Sequence, residues 1–125
     1  MNHIIHTENA PAAIGPYSQA VQAGNLLFVS GQIPINPATG AFAGDDIVTQ
    51  TRQSLTNVRN ILEAAGYSCA DVVKTTVLLA DIADFAAMNA VYGEFFTGNC
   101  PARACFAVKD LPRGALVEIE AIASK

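Results

Sequence analysis

The segment from residue 45 to residue 66 constrains the fold more than any other part of the chain. Its small and apolar side chains recur at alternating steps of three and four residues: Val48, Thr51, Leu55, Val58, Leu62 and Ala65. This spacing predicts an amphipathic helix with one buried stripe. Asp45 or Asp46 is suited to cap its N-terminus, and Gly66 is suited to end it. Segments with strand patterns lie on both sides, so we expect the helix to pack on a sheet.

A second helix is predicted after Asp81 or Asp84. Its apolar stripe contains Phe85, Met88, Tyr92 and Phe95 or Phe96, and Gly98, Asn99 and Pro101 end it. Strand patterns occupy residues 17–23, 26–30, 72–80, 102–109 and 116–123, and the turn at 36–40 predicts a further hairpin strand. The predicted order is β-β-β-α-β-α-β-β. We therefore expect a single α+β domain over residues 1–125, with one sheet and two helices on one of its faces.

The composition indicates that the chain associates with itself. Hydrophobic residues make up 51% of the chain and charged residues only 14%. Two helices can cover one face of a sheet of this size, which leaves the other face in need of a cover. We expect a second copy of the chain to provide that cover. The alternative is a monomer with an uncharged polar surface.

Strand alternation assigns side chains to the two faces of the sheet. In the segment 102–109, we assign Ala104, Phe106 and Val108 to the face that meets the helices. In the segment 116–123, we assign Val117, Ile119, Ala121 and Ala123 to the core. Arg103, Cys105, Glu118 and Glu120 are then expected together on the face turned away from the helices. Such a mixture of charged and apolar side chains is typical of an interface that holds a polar pocket.

Charge and cysteine usage exclude several classes of protein. Lys plus Arg is 7 against 11 for Asp plus Glu, so the net charge is −4, which argues against a general nucleic-acid binder. No apolar stretch is long enough to cross a membrane. We expect no signal peptide, because the first six residues lack a basic segment followed by an apolar run. Three cysteines without a C-x-x-C pair indicate reduced thiols in a cytoplasmic protein. Phosphate-binding and dinucleotide-binding motifs are absent from the sequence, so no nucleotide cofactor is assigned.

Four side chains are candidates for chemistry. Arg103 can hold a carboxylate through two parallel hydrogen bonds, or it can form a salt bridge to Glu118 or Glu120. Either glutamate can act as a general acid or base when it is partly buried, or it can be a solvated residue of the strand. Cys105 can be a nucleophile, although a small packed side chain is the better interpretation.

Two other groups of residues have weaker functional interpretations. His3 and His6 lack a third ligand of suitable spacing, so no metal site is predicted. The hydroxyl groups of Tyr17, Ser18 and Ser30 stand beside glycine or proline. They can orient a small polar ligand, or they can only stabilise the turns in which they lie.

An ordered set of short motifs resembles a known family. The motifs are Gly15-Pro16-Tyr17-Ser18, Ser30-Gly31-Gln32, Asn57, Ala65-Gly66, Asp84-Phe85, Asn89, Tyr92, Phe95-Phe96, Pro101-Ala102-Arg103, Leu111-Pro112 and Glu118-Ile119-Glu120-Ala121. In this order and spacing they resemble the reactive intermediate deaminase A family, also called RidA or YjgF. The resemblance extends over essentially all 125 residues.

The resemblance implies a fold, an assembly and a reaction. The fold would be chorismate-mutase-like, and three copies would surround a central barrel with active sites between subunits. The reaction would hydrolyse 2-imino acids or their enamine tautomers, such as 2-aminoacrylate and 2-iminobutanoate, to 2-keto acids and ammonia. This would protect pyridoxal-phosphate enzymes from damage. The resemblance implies no metal and no organic cofactor. From the charge and the apolar runs alone, we expect no nucleic-acid partner and no membrane.

The resemblance also assigns roles to residues. Arg103 matches the arginine that binds the carboxylate, and Glu118 matches the glutamate that positions the attacking water. Cys105 matches a residue that lines the pocket near that water. Tyr17, Ser30 and Asn89 match other substrate-binding residues.

Two alternative functions remain open from the sequence. One is a trimeric regulator that binds 2-keto acids or similar metabolites without catalysis. The other is a translation inhibitor that cleaves RNA, but the acidic composition and the position of both histidines within the first six residues argue against it.

Overall fold

One mixed sheet of six strands forms the centre of the computed structural model, which describes residues 2–125. Met1 of the predicted domain lies outside these residues. The strands are β1 (His3–Ile5), β2 (Ala20–Ala23), β3 (Leu26–Gln32), β4 (Val72–Leu79), β5 (Ala102–Ala107) and β6 (Val117–Ser124). Their order in the sheet is β1-β2-β3-β6-β4-β5. Only β4 and β5 pair in parallel; the other neighbours are antiparallel.

The two helices are α1 (Ile47–Ala64) and α2 (Phe85–Phe95). The side chain of Asp46 caps α1 by accepting from the backbone N–H of Thr49 at 2.9 Å, and this hydrogen bond lowers the pKa of Asp46. Gly66 follows the end of α1 with a φ of 81°, which an L side chain rarely adopts. Helix α2 connects the parallel strands β4 and β5, a connection that a tight turn cannot make.

Residues 2–125 contain as many α-helices and strands as predicted, but one predicted strand is wrong. The strand predicted after residues 26–30 is absent from this part of the chain, and an additional strand precedes residues 17–23. The first strand is His3–Ile5, which the sequence pattern did not indicate. The predicted hairpin at residues 36–40 contains only one bridge, between Ile35 and Phe42. Pro34 and Pro37 remove backbone donors on one side of this loop, so a longer ladder cannot form there.

The core lies between the helices and one face of the sheet. Leu55, Val58 and Leu62 of α1 are buried as predicted, whereas Val48 of the predicted stripe is exposed. In β6 the predicted core residues are also buried: Val117, Ile119, Ala121 and Ala123. Both helices pack on the same face of the sheet, which confirms this part of the predicted architecture.

The opposite face of the sheet keeps large apolar side chains in contact with solvent. Ile4 is 65% exposed, Phe28 is 43% exposed and Phe106 is 49% exposed. Their register partners Val21 and Ile122 belong to the same face. We call this surface the helix-free face.

The face predicted for the side chains of β5 is wrong. Thr75 and Val77 are buried beneath the helices, and they pair with Arg103 and Cys105. Arg103 and Cys105 therefore lie on the helix side, whereas Ala104 and Phe106 belong to the helix-free face. Strand β5 lies at the edge of the sheet, where the core ends. Hydrophobic side chains of this strand are therefore not always the buried ones, and the pattern of hydrophobicity does not identify its buried face. The predicted placement of Glu118 and Glu120 on the helix-free face is confirmed, since they pair with Leu78 and Thr76.

Candidate functional site

The guanidinium group of Arg103 is held by one face of α2. Its Nη1 donates to Oδ1 of Asn89 at 2.7 Å. Its Cζ lies 4.6 Å from the ring centre of Tyr92 and 5.5 Å from that of Phe85. These three residues are spaced by four and three positions along α2, so they share one side of the helix.

The remaining donors of Arg103 are open to a ligand. Within residues 2–125 the only salt bridge joins Arg52 to Glu94 at 3.0 Å, so the alternative of a salt bridge from Arg103 to Glu118 or Glu120 is wrong. A cavity of about 400 Å³ lies next to the guanidinium, and Asn89, Cys100 and Pro101 contribute to its wall. A planar fork held on one side and open on the other suits a carboxylate ligand.

The ring of Tyr92 forms the base of this part of the site. Its hydroxyl group lies 2.7 Å from Oγ1 of Thr75, and both residues are buried. Burial raises the pKa of Tyr92, so the phenol is neutral near pH 7. The sequence identified Tyr92 as part of an apolar stripe. Its contact with Arg103 follows from the register of β4 and β5, which no spacing rule predicts.

Glu118 occupies a separate cavity on the helix-free face. This cavity has a volume of about 320 Å³, and its wall includes Gly31, Leu78 and Phe106. Glu118 is half-buried, whereas Glu120 is exposed. Burial raises the pKa of the Glu118 carboxyl group, and the neighbouring Glu120 raises it further. The sequence could not separate these two glutamates, but their burial does.

A β-bulge brings Gly31 against Glu118. Val29 pairs with Ala121 and Gln32 pairs with Ile119, so Ser30 and Gly31 stand opposite a single residue of β6. A Cβ atom at Gly31 would overlap Oε2 of Glu118 and lie 2.9 Å from its Cδ. Only glycine leaves room for the carboxyl group at this place.

Tyr17 and Ser30 lie beside the same bulge. Oγ of Ser30 donates to the backbone oxygen of Ser18 at 2.6 Å, which ties the loop that carries Tyr17 to β3. Tyr17 is exposed and shares a cavity of about 400 Å³ with Gly31. The side chain of Asn57 donates to the backbone oxygens of Ile33 and Ile35 and so anchors the segment after the bulge to α1.

Cys105 lies near Arg103 on the helix side of β5. Burial raises the pKa of its thiol, with an opposing effect from Arg103. The thiol is therefore protonated near pH 7, which favours a packing role over a nucleophilic role.

The candidate residues thus form two groups in the described chain. Arg103, Asn89 and Cys105 lie on the helix side, at the edge strand. Glu118 lies on the helix-free face, with Gly31 beside it and Tyr17 next to Gly31. The expectation that Arg103 and Cys105 share a face with Glu118 is wrong, because the register of β5 against β4 places them on the other side. Gly31, Phe85 and Tyr92 were not predicted as parts of a site.

Two other kinds of feature are absent from residues 2–125. No group of three side chains that bind metals comes together in this part of the chain. No helix there has the length and the apolar character needed to cross a bilayer.

Comparison with known proteins gives consistent matches over the full length. The family model described as Endoribonuclease L-PSP matches residues 7–125. The Escherichia coli K12 protein named 2-iminobutanoate/2-iminopropanoate deaminase is 54% identical over 126 residues, which cover 98% of each chain.

Solved structures confirm the α+β fold. A putative endoribonuclease from Thermotoga maritima matches with a TM-score of 0.98 and 50% identity, covering 100% of this chain and 98% of that one. Escherichia coli TdcF with bound serine matches with a TM-score of 0.95 and 47% identity, covering 98% of both chains.

Proposed function

The chain belongs to the Endoribonuclease L-PSP family, and from this membership we propose that it hydrolyses small 2-imino acids to 2-keto acids and ammonia. The resemblance to the RidA/YjgF family is confirmed, because a relative named 2-iminobutanoate/2-iminopropanoate deaminase is 54% identical over almost the whole chain. We assign the same substrates to this protein, 2-iminopropanoate and 2-iminobutanoate together with their enamine tautomers.

One observation carries this assignment. The guanidinium of Arg103 is fixed by Asn89 at 2.7 Å and by two aromatic rings, yet its other donors face a cavity. Two parallel hydrogen bonds from this fork bind the substrate carboxylate and orient C2 of the imine. A solved relative holds serine, an α-amino acid with such a carboxylate.

Glu118 supplies the acid-base chemistry. Its raised pKa makes the carboxylate a better base than an ordinary glutamate. It takes a proton from a water molecule while the water oxygen bonds to C2. The π electrons of the protonated C=N bond move to nitrogen, which gives a carbinolamine. Its nitrogen takes the proton from Glu118, the C–N bond breaks, and ammonia leaves with the electron pair. As the carbinolamine oxygen forms the C=O bond, its hydroxyl proton passes to the Glu118 carboxylate and from there to solvent. The products are a 2-keto acid and ammonia, and no covalent bond to the protein is needed.

The complete site requires two copies of the chain. Arg103 lies on the helix side of the sheet and Glu118 on the helix-free face, so a substrate between them must contact an arginine from one copy and a carboxyl group from the next. The exposed Phe28 and Phe106 on the helix-free face support burial against another copy. We propose a homotrimer with a central barrel lined by the helix-free faces, and with Tyr17, Ser30, Asn89 and Cys105 completing each pocket.

The assembly and its surroundings have simple tests. Light scattering should give about three times 13.1 kDa. A monomeric mass at micromolar concentration would contradict a shared site. We propose a cytoplasmic location and a reaction without cofactor, so activity should survive dialysis against EDTA.

Imine hydrolysis is tested by coupling the protein to a threonine dehydratase, which releases 2-aminocrotonate and its imine tautomer. The protein should speed the formation of 2-oxobutyrate and reduce the adduct that semicarbazide traps. Arg103→Lys should lose this effect. Arg52→Lys is the matched control, because Arg52 already pairs with Glu94 on the surface.

Other outcomes would support the alternative functions. Binding of 2-oxobutyrate without faster hydrolysis would indicate a metabolite-binding regulator. The name of the matched family suggests RNA cleavage as another activity. If the protein cleaved RNA and Arg103→Lys abolished this cleavage, that activity would be favoured. The net charge of −4 and the lack of a paired histidine general acid and base argue against it.

A further inference from the structure

We propose that Tyr92, fixed by Thr75, is the positioning residue that holds Arg103 in the orientation needed to bind the substrate. This inference rests on the proposed function, because the carboxylate that Arg103 binds is that of the 2-imino acid. It assigns a role to the ring of Tyr92 and to the hydroxyl group of Thr75.

The ring of Tyr92 is constrained on three sides. Its hydroxyl group meets Oγ1 of Thr75 at 2.7 Å. Its ring centre lies 4.7 Å from that of Phe96, with an angle of 41° between the planes. The guanidinium carbon Cζ of Arg103 lies over the ring, 4.6 Å from its centre. The ring therefore has little freedom to turn, and it offers the arginine a fixed surface.

Thr75 links this ring to the strand ladder. Thr75 is 1% exposed and pairs in register with Arg103 between β4 and β5. Thr75 thus fixes both the backbone of Arg103, by strand pairing, and the ring of Tyr92 that contacts the Arg103 guanidinium. A change at Thr75 reaches Arg103 through the backbone pairing and through the ring of Tyr92.

Arg103 needs such support because of its place in the sheet. It lies on the edge strand β5, which has a strand neighbour on one side only within residues 2–125. A free arginine side chain occupies many rotamers, and ordering it on binding weakens affinity. Asn89 fixes one nitrogen, while the ring of Tyr92 fixes the plane of the guanidinium.

The buried hydroxyl group explains why tyrosine rather than phenylalanine suits this position. A buried phenol requires a hydrogen-bond partner, and Thr75 satisfies it. The hydrogen bond then selects one position of the ring. Without it, the ring would keep its contact with Phe96 but lose its fixed distance from Arg103.

The test compares variants that weaken the support with a control that does not touch it. Tyr92→Leu removes the ring, whereas Tyr92→Phe and Thr75→Val each remove the hydroxyl link and keep the ring. Tyr67→Phe is the matched control. Tyr67 and Tyr92 are each 6% exposed, and the hydroxyl group of Tyr67 donates to the backbone oxygen of Asn25 at 3.0 Å.

The Kd of 2-oxobutyrate from titration calorimetry and the kinetics of the coupled assay give the result. Tyr92→Leu should raise Kd and KM by about tenfold while kcat changes by less than about twofold. Tyr92→Phe and Thr75→Val should each raise Kd about threefold, and the double variant should match the single ones because both remove one link. Tyr67→Phe should keep the wild-type Kd.

Two results would overturn the proposal. One is an unchanged Kd in Thr75→Val and Tyr92→Phe. Both substitutions are conservative, so they still test the proposal if Tyr92→Leu fails to fold. The other is an equal loss of affinity in Tyr67→Phe, which would indicate a general effect of stability.

A spectroscopic readout separates this proposal from the proposed function. The ring of Tyr92 should shift the NMR signal of the Arg103 Nε–H group, and the shift should disappear in Tyr92→Leu. If the wild-type protein neither binds 2-oxobutyrate nor hydrolyses imines, the proposed function fails, while a lost shift still supports the positioning of Arg103. An unchanged signal in Tyr92→Leu would overturn the positioning itself.

Discussion

Arg103 and Glu118 lie on opposite faces of one sheet, and β4 separates the strands that carry them. Thr75 of β4 pairs with Arg103, and Leu78 of the same strand pairs with Glu118. Because neighbouring side chains of a strand alternate between faces, this offset of three places the two partners on different sides. The sheet of a single chain thus lies between the guanidinium and the carboxyl group.

Mixing two inactive variants tests whether one site takes residues from two copies. Arg103→Lys and Glu118→Gln should each be nearly inactive alone. After joint refolding in equal amounts, about a quarter of the sites should combine an intact arginine with an intact glutamate. The coupled assay should then recover about a quarter of the wild-type activity. Simple mixing without subunit exchange is the control, and no recovery after joint refolding would mean that each site belongs to one chain.

Replacement of Arg103 by lysine should remove most of the activity. Lysine keeps the charge but lacks the planar fork, and it cannot reproduce the contacts with Asn89 and Tyr92. We expect kcat/KM to fall by about a hundredfold, which corresponds to about 2–3 kcal/mol of transition-state stabilisation. The melting temperature should stay close to that of the wild type. Near-wild-type kinetics would instead assign Arg103 a structural role.

Glu118 and Glu120 should differ in their effect on turnover. Glu118→Gln should lower kcat by about a hundredfold or more, because the amide cannot accept or return the proton. It should still bind 2-oxobutyrate, since Arg103 is intact. Glu120→Gln should change kcat little at pH 7. The opposite ranking of the two variants would transfer the acid-base role to Glu120.

The pH profile provides a check on the same pair. A general base must be ionised, so turnover should fall as the pH drops through the raised pKa of Glu118. Glu120 raises that pKa through its negative charge. Glu120→Gln should therefore lower the pKa of Glu118 and move the acidic limb of the profile to lower pH. An acidic limb that does not move would mean that another group controls it.

Gly31→Ala should damage the site without disturbing the rest of the fold. The added Cβ would occupy the place of the Glu118 carboxyl group, so this group must move away from the position proposed for the activation of water. We expect kcat to fall by at least about tenfold. Gly44→Ala is the matched control, because its Cβ would meet Cγ2 of Thr49 at 2.9 Å and would not contact Glu118. Equal losses in both variants would indicate general crowding.

Cys105→Ser should keep substantial activity. The thiol is protonated near neutral pH because burial raises its pKa, and the proposed hydrolysis needs no covalent bond to sulfur. Titration with a thiol reagent and the coupled assay give the comparison. A loss of more than about a thousandfold in an intact assembly would indicate covalent catalysis.

Local sequence patterns predicted those parts of the fold in which the hydrophobicity of a side chain indicates whether it is buried. Examples are the apolar stripe of α1, its cap at Asp46 and the alternation of β6. Both elements contribute to the centre of the core, where apolar side chains are buried. The edge strands behave differently. His3–Ile5 is too short to show a period, and in β5 the exposed Phe106 and the packed Arg103 reverse the usual rule.

The same limit applies to the candidate site. Arg103 and Glu118 could be selected from their chemistry and from the family resemblance. The placement of Arg103 depends on the parallel register of β5 against β4, and the placement of Glu118 depends on the antiparallel register of β6 against β4. The role of Gly31 depends on a bulge that appears only when β3 and β6 are paired. Such relationships between distant segments leave no periodic trace in the sequence.

The division of the site between the two faces of the sheet also predicts how damaging alleles would behave. In a closed ring, each copy would contribute its arginine to one site and its carboxyl group to another. In a cell with one intact and one Arg103→Lys allele, each defective chain would spoil a single site, and about half of the sites would remain. A chain that carries both Arg103→Lys and Glu118→Gln would spoil two, which leaves about a quarter. Dominance would thus depend on whether an allele alters one face of the sheet or both faces.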